Sequence, residues 1–216
     1  MRSQPIIKIC GLSTSPTVAA ALDAGADMLG FVFFAPSPRN LPLDAAKALS
    51  AQIGDRAKKV ALTVDADDAA IETIIAALAP DILQLHGRET PERAAALRAC
   101  SGCLVMKALG VSSRADLAAA QAYAPVVDYL LFDAKPPLDA TRPGGNGMAF
   151  DWSILDGFNP GRPWLLSGGL APSNVAEALA KTGAPGVDVS SGVERAPGVK
   201  DEALIRSFIA AARSLS

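Results

Sequence analysis

Lys8 and Cys10 stand two residues apart in the run IIKIC, and Asp133 ends the run LLFD. An ammonium group, a thiol and a carboxylate are the makings of proton transfer. A free cysteine has a pKa of ~8.5, and a neighbouring ammonium group favours its thiolate. Lys8 is therefore expected to help Cys10 act as a base or nucleophile near neutral pH. Without that help Cys10 is a small packing thiol. Asp133 follows three apolar residues, where a carboxylate is costly unless it is used or paired. It either accepts hydrogen bonds from the backbone of the following loop or serves as an acid opposite Cys10.

Two further stretches have the character of anion sites. LLSGGLAPSN and VDVSSGVE place glycine and serine directly after aliphatic runs, where backbone N–H groups can close on a phosphate. Gly168, Gly169, Ser190, Ser191 and Gly192 are the candidates. Arg39, in FFAPSPRN, offers a fork suited to a carboxylate, held by two prolines, unless it is a solvated surface arginine. His86, at the end of LQLH, is either a satisfied core histidine or a site wall able to stack on a planar ligand. Asp188 shares a strand face with Ser190, as Lys8 does with Cys10.

These residues need a scaffold that brings strand ends together. Strand-like runs IIKIC, MLGFVF, KVALTV, ILQLH, LVMKAL, YLLFDA, WLLSG and VDVSS alternate with Ala-rich runs of helical character. The helical runs are PTVAAALDAG, PLDAAKALSAQIG, DDAAIETIIAAL, TPERAAALRA, SRADLAAAQAY, DWSILDG, PSNVAEALAKTG and DEALIRSFIAAARSL. Eight such units of about 27 residues predict parallel pairing through right-handed crossovers, hence an α/β fold of the closed (β/α)8 TIM-barrel type over residues 1–216 as one domain. The rival, an open doubly wound sheet, would carry G-x-G-x-x-G after its first strand, and none stands there. In a barrel the C-terminal strand ends form the working face, which is where the candidates above fall. Lys135 to Gly147, rich in proline and glycine, is expected to form a mobile loop.

The composition narrows the partners. A formal charge of −2 and a pI near 5.4 leave no basic excess for a nucleic acid. No window approaches the ~20 apolar residues of a membrane span, and the N-terminus lacks a signal-peptide pattern, so a cytoplasmic protein is expected. Three cysteines make no disulfide framework. Cys100 and Cys103 have C-x-x-C spacing, but they follow a helix-like run instead of opening one, and one histidine is too few to complete a zinc site. They read as ordinary thiols flanking a turn, and no metal is expected.

Taken in order, KICGL, GFVFFAPSPR, LQLHG, LLFDAK, LLSGGLAPSNV and GVDVSSGVERAPGVKD resemble phosphoribosylanthranilate isomerase of tryptophan biosynthesis, from Lys8 to Asp201. The resemblance implies a cofactor-free Amadori rearrangement of a small phosphoribosyl substrate by a ribulose-phosphate-binding barrel. It implies Asp133 as general acid and Cys10 as general base. Arg39 would hold the anthranilate carboxylate, His86 would lie against the ring, Asp188 would accept from ribose hydroxyls, and Lys8 would line the substrate site. The family contains monomers and homodimers, and related barrels also isomerise an aminoimidazole ribonucleotide. One departure is Asn146, where the family usually has threonine. The rivals are an indole-glycerol-phosphate synthase, a pentose-phosphate epimerase, whose metal ligands one histidine can scarcely supply, and a noncatalytic phosphosugar-binding barrel.

Overall fold

A computed structural model of the protein describes residues 4–135, 144 and 150–214. Its frame is a closed barrel of eight parallel strands in sequence order, β1 pairing with β8 to complete the ring. The strands are β1 (Ile6–Cys10), β2 (Met28–Phe33), β3 (Lys58–Thr63), β4 (Ile82–Leu85), β5 (Leu104–Val111), β6 (Tyr129–Ala134), β7 (Trp164–Leu166) and β8 (Gly186–Val189). Around them run α1 (Ser15–Asp23), α2 (Leu43–Ile53), α3 (Asp68–Leu78), α4 (Pro91–Cys100), α5 (Ala119–Tyr123), α6 (Val175–Thr182) and α7 (Glu202–Arg213). The expected (β/α)8 architecture is the observed one.

The period-two side-chain alternation of each strand splits the core in two. Ile7, Ile9, Leu29, Phe31, Leu83, Leu85, Leu130 and Phe132 face the helices and join one large apolar cluster. Inside the ring, Met28, Val60, Ile82, Met106, Leu131 and Leu165 form a separate plug at the N-terminal end. Cys10, Val32 and Leu62 make a third, small cluster above it. Such layering is how a barrel of this size fills its interior.

Two helical runs differ from the sequence expectation. SRADLAAAQAY begins as a 3-10 turn over Arg114–Ala118 and becomes α-helical only for the five residues of α5. The Asp116 carboxylate draws in the N–H and hydroxyl groups of both Ser112 and Ser113, which winds the first turn tightly. DWSILDG is a single 3-10 turn, Trp152–Leu155, opened by Asp151 accepting from the Ser153 N–H and followed by the positive-φ Gly157. Between β8 and α7 lies a feature the strand pattern did not show, the antiparallel hairpin β9 (Glu194–Ala196) and β10 (Val199–Lys200).

The expected Lys135–Gly147 loop falls, apart from its first residue and Gly144, outside the described residues, as does Asn146. Among the described residues no helix is long and apolar enough to cross a membrane. Cys100 is exposed at the end of α4, while Cys103 is buried and directs its thiol at the Pro80 carbonyl 3.3 Å away, so the C-x-x-C pair flanks the Gly102 turn.

Candidate active site

Strand register fixes the first pair of functional side chains. Lys8 of β1 and Asp188 of β8 are direct neighbours across the ladder and point the same way. The Lys8 ammonium donates to Asp188 Oδ1 at 2.8 Å, with Lys8 wholly excluded from solvent. Ser167, just past β7, donates to the other carboxylate oxygen at 3.4 Å. Room for this arrangement comes from Gly30 on β2. A Cβ there would lie 2.8 Å from the Cys10 sulfur and 3.2 Å from Lys8 Cε. A glycine in mid-strand marks such close approach, a signal present in MLGFVF that the motif reading passed over.

Cys10 stands one strand step closer to the mouth and lines the cavity, whereas Lys8 lies beneath it and does not. Burial pushes the Cys10 thiol above its ordinary pKa; Lys8 and Lys200 pull it down, and Asp188 adds to the rise. The pull expected from Lys8 is present, but the net shift is upward and opposes ionisation near neutral pH. Desolvation outweighs the ammonium group, whose field is partly spent on Asp188. Burial alone would lower the pKa of Lys8, but Asp188 and Cys10 hold it above the ordinary lysine value, so Lys8 stays charged.

Asp133, on β6, reaches the same mouth from three strands away by way of β7 and β8. Its Oδ1 accepts the Ala134 N–H at 2.8 Å, and its Oδ2 lies 3.4 Å from His86 Nε2. The His86 Nδ1 meets the Gln84 amide at 3.3 Å. His86 is thus a wall of the cavity, but one that touches the carboxylate, a contact the sequence did not suggest. Gly168 sits close behind, at φ +88, where a Cβ would come within 2.6 Å of the Ala134 nitrogen and 3.1 Å of Asp133 Oδ1. Both its backbone conformation and the space admit only glycine.

The two glycine and serine loops face one another. Gly168, Gly169, Ser190 and Ser191 all line the cavity, and neither the Gly168 nor the Gly169 N–H donates to another backbone carbonyl among the described residues. Gly192 does not line it. A Cβ at Gly192 would overlap the Leu170 carbonyl oxygen at 1.8 Å, so this glycine lets the β8 loop pack against the β7 loop.

Arg39 is a cavity residue and not a surface one, with only 4% of it exposed. Its stem passes over Gly11, where a Cβ would lie 2.6 Å from Arg39 Cδ. Its Nε and Nη2 donate to the two oxygens of Glu194 at 2.6 and 2.8 Å. Lys200 donates to Glu194 Oε1 at 2.8 Å and to the Ser190 carbonyl at 2.8 Å. Burial would raise the Glu194 pKa, yet Arg39 and Lys200 together hold it below the usual value. Sequence reasoning missed Glu194 and Lys200. Their only local trace was charge within the quoted run GVERAPGVKD.

The cavity at the C-terminal mouth encloses about 780 Å³, counted out to open solvent, between apolar walls (Val32, Leu62, Val64) and the polar groups above. Such a space suits a small molecule with an aromatic part and an anionic end. No cluster of three or more metal-ligating side chains occurs among the described residues.

The family described as N-(5'phosphoribosyl)anthranilate (PRA) isomerase matches residues 7–211. The chain belongs to this family. It is 61% identical over 209 residues to N-(5'-phosphoribosyl)anthranilate isomerase of Rhodopseudomonas palustris strain BisB5, covering 97% of this chain and 96% of that protein. The crystal structure of phosphoribosyl anthranilate isomerase from Thermotoga maritima superposes with a TM-score of 0.86 at 35% identity, over 97% of this chain and 98% of that one. A phosphoribosyl anthranilate isomerase in complex with reduced 1-(o-carboxyphenylamino)-1-deoxyribulose 5-phosphate gives 0.81 at 32% identity, over 97% and 98%. As a member of this family the chain is an isomerase of tryptophan biosynthesis built on a (β/α)8 barrel.

Proposed function

We propose that the protein converts N-(5'-phosphoribosyl)anthranilate to 1-(2-carboxyphenylamino)-1-deoxyribulose 5-phosphate, with Asp133 as general acid and Cys10 as general base. Asp133 protonates the ribose ring oxygen as the C1–O bond breaks, and the anilino nitrogen lone pair forms the C1=N bond of a Schiff base. The Cys10 thiolate then takes the C2 proton, and the electron pair left behind makes the C1=C2 enolamine. Proton transfer from the C2 hydroxyl to C1 yields the ketone. The proton left on Cys10 returns to Asp133 through solvent, so atoms and charge balance over the cycle without a co-reactant and no cofactor enters.

The observation that carries this reading is the placement of Cys10 and Asp133 on separate strands around one cavity, with glycine and serine loops at its side. In the proposed pose the phosphate lies on the Gly168, Gly169, Ser190 and Ser191 loops. Gly192 supports the same site by holding those loops together. Asp188, oriented by Lys8 and Ser167, accepts from ribose hydroxyls. Arg39 takes the anthranilate carboxylate, and His86 lies beside the ring and against Asp133. The barrel acts as a monomer or homodimer in the cytoplasm.

The test generates the substrate in situ from anthranilate and phosphoribosyl pyrophosphate and follows the loss of its fluorescence. Wild type accelerates the decay, while Cys10→Ser and Asp133→Asn each lower kcat by ~10²-fold or more with KM nearly unchanged. Turnover like wild type in either variant removes that residue from its role. No decay above background in the wild type removes the reaction.

A further inference from the structure

Glu194 is a buried carboxylate with a narrow set of partners. Its side chain is 4% exposed, and apart from the Gly198 N–H at 3.2 Å its bonds go to Arg39 and Lys200. Arg39 lines the cavity, and Lys200 is bonded to the carbonyl and, at 3.2 Å, to the hydroxyl of cavity-lining Ser190. The hairpin register sets Glu194 opposite Lys200, so β9 and β10 deliver both charges as a unit. Glu89, a buried carboxylate that bonds the Asp65 and Gly87 N–H groups and the Lys107 ammonium, has no cavity-lining residue among these partners. Glu194 instead spans two walls of one site.

Arginine has a long stem with many rotamers, and a bidentate partner on Nε and Nη2 fixes both the plane and the direction of the fork. A guanidinium whose plane is already set binds a planar carboxylate at a lower ordering cost, and so discriminates for it more strongly. We infer that Glu194 is a positioning residue that sets discrimination for the ring carboxylate of the substrate, by clamping the Arg39 fork and anchoring it through Lys200 to the Ser190 loop. This rests on the reading that Arg39 receives that carboxylate. It assigns to the β9–β10 hairpin a part in specificity as well as in the fold.

The test compares two ligands by calorimetry: reduced 1-(2-carboxyphenylamino)-1-deoxyribulose 5-phosphate and the same compound lacking the ring carboxyl. Wild type is expected to prefer the carboxylated ligand by ~10-fold or more. Glu194→Gln is expected to reduce that preference to within ~2-fold while leaving affinity for the carboxyl-free ligand within ~2-fold of wild type. Equal weakening of both ligands would mean a merely structural role and overturn the inference. An undiminished preference would overturn it too. If wild type shows no preference, the carboxylate role of Arg39 fails and the inference with it, while the fluorescence assay judges the isomerase reading separately. Should Glu194→Gln lose its cooperative melt, Glu194→Asp serves the same comparison. It keeps the charge but shortens the reach, and a preference below wild type is the expected result, an unchanged one the refutation.

Discussion

Replacing Lys8 by methionine tests whether the buried ammonium group acts on Cys10. The Cys10 thiol starts above its ordinary pKa because burial outweighs the attraction of Lys8. Opposite charges about 4 Å apart interact by ~4 kcal/mol at an effective dielectric of ~20, which bounds what the ammonium group can do for the thiolate. Asp188, 2.8 Å from the Lys8 nitrogen, cancels part of that field, so a further rise of the thiol pKa is expected, smaller than the full attraction would give. The variant also strands the Asp188 carboxylate, which costs ~3–5 kcal/mol of stability and itself pushes the thiol upward. Lys8→Met with Asp188→Asn removes both charges, and its smaller rise separates the two effects. The assay is the rate of Cys10 alkylation against pH, in a Cys100→Ser, Cys103→Ala background because Cys100 is exposed. An unchanged or lowered thiol pKa in Lys8→Met would refute the electrostatic account.

The raised Cys10 pKa has two consequences in the wild type. If the thiolate is the base, kcat/KM climbs with pH through a pKa above the ordinary thiol value, and a profile already flat at neutral pH would contradict this. Because the folded state holds the thiol proton more tightly than the unfolded chain, stability is full below the unfolded pKa. It falls as pH rises through the alkaline range up to the folded pKa, which urea midpoints measure. Gly168→Ala forces a methyl group against the Ala134 nitrogen at φ +88. It should cost ~1–3 kcal/mol in denaturation experiments and lower kcat by displacing Asp133, and a variant with wild-type kcat would show that Asp133 tolerates the shift.

Strand-level features were the most legible, because they depend on neighbours one and two residues away. IIKIC, MLGFVF and YLLFDA coincide with β1, β2 and β6, and their alternation places Lys8, Cys10 and Asp133 correctly on the inner face. The weaker elements, Arg114–Ala118 and Trp152–Leu155, turned on side-chain hydrogen bonds, which in the first override an Ala-rich helical character. What was hidden was pairing at long range. Arg39 and Glu194 lie 155 positions apart, and nothing near either residue names the other. The sequence treated Arg39 as held by prolines, whereas its guanidinium is fixed by a hairpin on the far side of the chain. The Cys10 pKa was misjudged for a related reason. A charge partner can be read from i and i+2, but the depth of burial that opposes it depends on the closure of all eight strands.

The interior of the barrel divides its labour by height, and the strand period makes this possible. Met28, Val60, Ile82 and Leu165 close the N-terminal end with apolar volume alone. One strand step higher the interior carries Lys8, Gln84 and Asp188, all nearly excluded from solvent, and one step higher again stand Cys10 and His86, with Asp133 at the same mouth. Charges at the middle level are tolerable because register sets Lys8 and Asp188 side by side, and Gly30 leaves space above them. Had the polar residues occupied the lower level, they would have lacked loops and glycines to satisfy them, since the Gly168, Gly169 and Ser190 backbones all lie past the strand C-termini. The apolar plug therefore serves more than stability. It excludes water from beneath the Lys8–Asp188 pair, which keeps that interaction strong and the Cys10 thiol basic once its proton is gone.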